Sequence, residues 1–76
     1  MEEEKRDLLN RLFAVASDVL ERAHEAAMTG QAPDLDDKTA SLCGRQLARA
    51  AEDIGAVADT IRQLVKPQNE IPSSEQ

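Results

Sequence analysis

Aromatic side chains are almost missing from this chain: Phe13 stands alone, with no Trp and no Tyr among 76 residues. Proteins commonly hold single-stranded nucleic acids by stacking the bases on aromatic rings, and that platform is absent here. Cationic charge is also short. Nine Lys and Arg against fifteen Asp and Glu leave a net charge of −6, the wrong sign for gripping a phosphate backbone. A single cysteine excludes a disulfide framework within the chain, and with a single histidine it is too little for a structural zinc site. No stretch approaches the ~18 consecutive apolar residues of a membrane span. The first seven residues, Met1 to Asp7, show neither the basic start nor the apolar core of a secretory signal. Together with the lone thiol, they lead to an expectation of a cytoplasmic protein without a membrane partner.

Catalytic signatures are equally scarce. The chain has no glycine-rich phosphate loop and no Ser/His/Asp set. Glu21 and His24 have the Glu-x-x-His spacing of di-metal carboxylate bundles, but their helical positions turn away from the apolar rows, and no inward carboxylate completes the set. Cys43 falls at a core position, where a thiol behaves as a small hydrophobe. If a two-fold axis passed close to it, oxidation could join two copies through Cys43. No enzyme activity, cofactor or metal is expected.

What the chain does contain is helical periodicity. From Ala40 to Val65, one row reads Ala40, Leu47, Ile54 and Ile61, and another reads Cys43, Ala50, Val57 and Leu64. All eight are apolar, in the unbroken 3-4 spacing of a helix that packs along its length. Beside them runs a second row of small residues: Gly44, Ala48, Ala51, Gly55 and Ala58, resumed at Val65 after an interruption at Arg62. Glycine inside a helix costs about 1 kcal/mol relative to alanine, so two glycines on one face suggest close approach of another backbone.

The first half of the chain repeats the theme. Leu8, Leu12, Val15, Val19 and Ala26 form one row; Leu9, Phe13, Ala16, Leu20, Ala23 and Ala27 form its neighbour. The spacing predicts a helix over about 2–29, with Glu2, Glu3 and Glu4 at the positive end of its dipole. A turn over 30–34 follows, with Gly30 as a left-handed helix end, Pro33 as a breaker and Asp34 as the next N-cap, Asp36 competing for that role. A second helix is expected over about 35–66 and is ended by Pro67. Residues 67–76, with two prolines and little to bury, read as a disordered tail. A connection this short makes two long helices adjacent and antiparallel.

The expected fold is therefore all-α: an antiparallel helical hairpin of two long helices. A chain of this size buries only about 60–65% of its unfolded surface and usually needs a metal, a disulfide or a partner. Two apolar rows per helix exceed what one hairpin can cover, so dimerisation into a four-helix bundle is the economical solution. The surface expected to meet the second subunit is Gly44, Ala48, Ala51, Gly55, Ala58 and Val65 on helix 2, with Leu9, Phe13 and Leu20 on helix 1. The tightest contact is expected between the two copies of helix 2.

Between Glu2 and Lys66, these features are similar in outline to two groups of small proteins. One is the plasmid-copy-number regulators that dimerise as antiparallel four-helix bundles. The other is the helical-hairpin co-chaperones of type III secretion systems, with their alanine-rich second helix and short Gly/Pro turn. The first likeness implies a basic face for RNA. This chain lacks one: Arg45 and Arg49 alternate with Glu52 and Asp59 on the outer side of helix 2. The expected function is that of a non-enzymatic protein–protein interaction module, acting as a regulator, adaptor or co-chaperone. A nucleic-acid-binding bundle and a structural subunit of a larger helical assembly are the alternatives.

Overall fold

The computed structural model describes residues 1–66, as two helices, α1 (Glu3–Thr29) and α2 (Asp37–Leu64), packed along their length. No strand occurs among the described residues. The expected tail, 67–76, lies outside them.

Local chemistry explains where each helix begins and ends. Glu3 and Glu4 occupy the first turn of α1, where negative charge meets the exposed N–H groups. Glu2 precedes them without a side-chain cap, and its carbonyl accepts from the Arg6 N–H at 2.9 Å. At the other end, Gly30 is right-handed, with φ −67° and ψ −10°, so the left-handed helix end expected there does not form. The carbonyls are satisfied differently. The Gly30 N–H donates to Ala26 O at 3.0 Å, and the Gln31 side-chain amide donates to Ala27 O at 3.3 Å.

The connection occupies residues 30–36 rather than 30–34. Leu35 N–H donates to Ala32 O at 3.2 Å, closing a turn with Pro33 second and Asp34 third. Proline at the second position of such a turn is favoured by its fixed φ. Asp34 is thereby used in the turn, and Asp36 caps α2 instead, its carboxylate accepting from Thr39 N–H at 2.8 Å. Helix α2 stops at Leu64, two residues short of the expected end, and Val65 N–H closes the last turn onto Ile61 O at 3.1 Å.

The Asp36 cap carries a pH signature. The Thr39 backbone N–H, and after it the Thr39 side chain, hold the carboxyl below its ordinary value. A depressed carboxylate pKa stabilises the fold above the unfolded value, ordinarily ~4, and that contribution is lost as pH falls through the folded value. Asp36→Asn keeps an acceptor without the titration. Its thermal midpoint should therefore lose less than the native chain's between pH 6 and pH 3, as read by circular dichroism. A native chain and an Asn variant that lose stability in parallel would remove this role from Asp36.

One seam joins the helices. On α1 it is lined by Leu9, Leu12, Ala16, Val19, Ala23 and Ala26, and on α2 by Cys43, Ala50, Ile54, Val57, Ile61 and Leu64, all buried or half-buried. The α2 side follows the expected core row, except that Ala40 and Leu47 stay exposed. The α1 side is neither expected row but a zigzag between the two, alternating steps of three and four. That alternation averages about 3.5 residues, close to the 3.6 residues per turn of the helix, so the seam stays on one side of α1 along its length. The hairpin is one helix thick, with a smallest dimension of 14 Å. A single layer buries one stripe per helix and leaves the flanks outside.

Candidate interaction surface

The seam divides the surface into two broad faces of opposite character. One face carries an open groove of about 610 Å³ near the connecting turn. Arg22, Glu25 and Thr29 of α1 and Gln46, Arg49 and Asp53 of α2 form its walls, over Val19, Ala26 and Ala50. Both signs of charge alternate along it. No cationic stripe forms there, and phosphate recognition would require one.

The rows on the opposite side of the seam make the other face. Phe13, Leu20 and Ala27 come from α1; Gly44, Ala51, Ala58 and Val65, with Ala48 and Gly55 one row further out, come from α2. Phe13 is 57% exposed and Leu20 56%, although both are large and apolar. The α2 part is flat. A Cβ added at Gly44 or at Gly55 would meet nothing within 4 Å, so the hairpin itself does not require either glycine. Eight of the nine residues expected to form the assembly surface thus lie together on one exposed face. The ninth does not: Leu9 is 6% exposed and is consumed in the seam.

Charge separates the faces further. Along the apolar rows, from Arg6 to Ala27 on α1 and from Ser41 to Val65 on α2, no Asp or Glu occurs, in a chain with fifteen acidic residues. Apart from Asp37, which opens the α2 row, the carboxylates of that helix and most of those on α1 lie on the outer sides and the grooved face. Among the described residues two exposed ion pairs form, Asp7–Arg11 at 3.0 Å on the outside of α1 and Asp59–Arg62 at 3.4 Å, which joins the outer side of α2 to the edge of its small row. Such pairs contribute at most a few tenths of a kcal/mol and chiefly keep a helix surface soluble.

The remaining chemistry-bearing residues stand apart from one another. Glu21 and His24 lie together on the outside of α1, lining a shallow depression with Leu20 and Glu25. Among the described residues, no three His, Cys, Asp or Glu side chains are grouped as a metal ion requires. Cys43 is a free thiol, 6% exposed, inside the seam, so joining two copies through it would require the hairpin to open. No described helix is long and apolar enough to cross a membrane. Comparison with known protein families, curated proteins and solved structures finds no match for this chain.

Proposed function

We propose that this protein is a non-enzymatic protein–protein interaction module, a small regulator, adaptor or co-chaperone that works as a self-associating helical hairpin. The observation that carries the reading is the distribution of apolar side chains among the described residues. Four hydrophobic residues are buried, Leu9, Val19, Ala26 and Cys43, while ten large ones are exposed, Phe13 and Leu20 the most exposed of them at mid-helix. A core of that size stabilises a hairpin poorly, and the exposed pair Phe13 and Leu20, which share one face with the small row of α2, supports an interaction site there. A four-helix bundle of two hairpins covers it. Among the described residues, the open, mixed-charge groove and the depression beside Leu20 bring together no nucleophile, base and orienting partner, which favours binding over chemistry.

Sedimentation velocity over a hundredfold concentration range, with thermal melts at the same concentrations, tests the association. A dimer gives a midpoint that rises with protein concentration, because only the folded state is bound. A monomer at every concentration, fully helical and with a constant midpoint, would overturn the reading.

A further inference from the structure

We infer that the acid-free face receives a second copy of this chain, with α1 of each copy lying antiparallel on α2 of the other. The inference rests on the self-association proposed above and specifies its geometry. Three observations carry it.

The first is charge. Two chains of net charge −6 repel, and the repulsion is least where neither presents a carboxylate. The rows containing Phe13 and Leu20 on α1 and Gly44, Ala51 and Gly55 on α2 hold no carboxylate of their own from Arg6 to Ala27 and from Ser41 to Val65, with Glu21 and Asp59 at their outer edges, whereas the grooved face carries Glu25 and Asp53 between its walls. A partner of strongly basic character would instead seek the carboxylate-bearing sides.

The second is area. Helices of 27 and 28 residues are about 40 Å long, and two of them side by side span about 20 Å. The face therefore offers roughly 800 Å² per copy, which is what a stable protein–protein interface buries on each partner.

The third is shape. The α1 half of the face is a ridge with Phe13 and Leu20 at its crest; the α2 half is a trough of Gly and Ala. A two-fold axis parallel to the helices sets ridge on trough twice over. An axis across them would set ridge on ridge and trough on trough, holding the bulky halves apart while the small halves need close contact. The register agrees. Val19 and Ala50 line the same groove, which places them within about two turns of one level along the hairpin. Counting away from the turn, Phe13 is six residues beyond Val19 and level with residue 56, beside Gly55. Leu20 is one residue nearer the turn than Val19 and level with residue 49, beside Ala48. A two-fold axis along the helices preserves these levels. The largest side chain on the face therefore falls on the stretch of trough that contains Gly55, where Ala48, Ala51 and Ala58 carry only methyl groups. The tight contact expected between two copies of α2 is replaced by α1 on α2.

Mixed disulfide trapping tests the geometry. In a Cys43→Ala background, Ser17→Cys protein is mixed with Ala51→Cys protein and oxidised. Ser17 is level with residue 52, so in the inferred dimer the two thiols come within bonding range. Expected is a disulfide-linked heterodimer, with none from Asp18→Cys mixed with Gln46→Cys on the grooved face. A dimeric protein that gives no Ser17–Ala51 link overturns this geometry and leaves the self-association standing. A monomeric protein overturns both. Because Cys43→Ala opens space in the seam, the native-thiol variants Ala51→Glu and Gln46→Glu give a second reading. Ala51→Glu buries an unpaired charge and should raise the dissociation constant by roughly 100-fold, against less than ~3-fold for Gln46→Glu. Equal effects of the two overturn the inference.

Discussion

Val19→Asp should abolish the helical hairpin, while Val15→Asp, one turn away on the same helix, should leave it folded. The two substitutions place the same charge on the same helix at similar distances from its ends. They differ in where the side chain points. Val19 is 3% exposed in the middle of the seam, whereas Val15 is 47% exposed on the grooved flank. An isolated carboxylate in an apolar contact costs several kcal/mol even after local relaxation. A domain of this length has a total stability of only ~4–10 kcal/mol by the usual per-residue range. The seam has little in reserve, since its other fully buried members are Leu9, Ala26 and Cys43. Loss of the far-ultraviolet helical signal at 25 °C is the expected result for Val19→Asp, and retention of it for Val15→Asp. If Val19→Asp kept a melting midpoint within a few degrees of Val15→Asp, the seam could not be what holds the helices together.

The existence and pairing of the helices were legible in the sequence because they depend on repeated signals. The apolar spacing recurs over seven turns of α2, and the interval from Thr29 to Asp36 contains Gly30, Pro33 and two aspartates. No single residue had to be read correctly. The details that were misread depend on one local competition each. Asp34 and Asp36 are equally good caps in isolation, and the choice follows from Pro33 forming a turn that ends at Leu35. Gly30 allows a left-handed helix end but does not impose one, and the Gln31 amide offers the carbonyls another donor.

The α1 seam was ambiguous for a different reason. Its two apolar rows, of five and six residues, cover the same span of the helix, so periodicity alone could not say that the contact runs between them. Only the partner helix selects Leu9, Leu12, Ala16 and Val19 and leaves Leu8, Phe13, Val15 and Leu20 outside. Placing Leu9 with the assembly residues was a consequence of that ambiguity. The face that emerges is nevertheless coherent, because α2 had already separated its bulky row from its small one. An antiparallel neighbour brings the α1 row of Phe13 and Leu20 to the same side as that small row.

Replacing Phe13 and Leu20 together by serine should leave the hairpin helical and disperse its assembly. Within one hairpin both side chains are more than half exposed, so their truncation removes little burial from the seam. Covering the exposed half of each is worth about 1–1.5 kcal/mol, from about half the value for complete burial. Two copies bring four such side chains to the interface, for a total of about 4–6 kcal/mol. That corresponds to a dissociation constant raised roughly 10³- to 10⁴-fold. The matched pair on the other flank, Leu8→Ser with Val15→Ser, removes comparable apolar surface from the grooved face and should shift association by less than tenfold. Sedimentation equilibrium on the two double variants, with helix content checked by circular dichroism, compares them directly. A larger effect from the Leu8/Val15 pair would move the interface to the grooved face. Equal, small effects would mean that neither flank joins two copies, leaving Phe13 and Leu20 available for a different protein. The expected order follows from where the carboxylates are. Apolar area is present on both flanks, and in the proposed dimer the flank with Phe13 and Leu20 is the one on which two acidic chains would repel least.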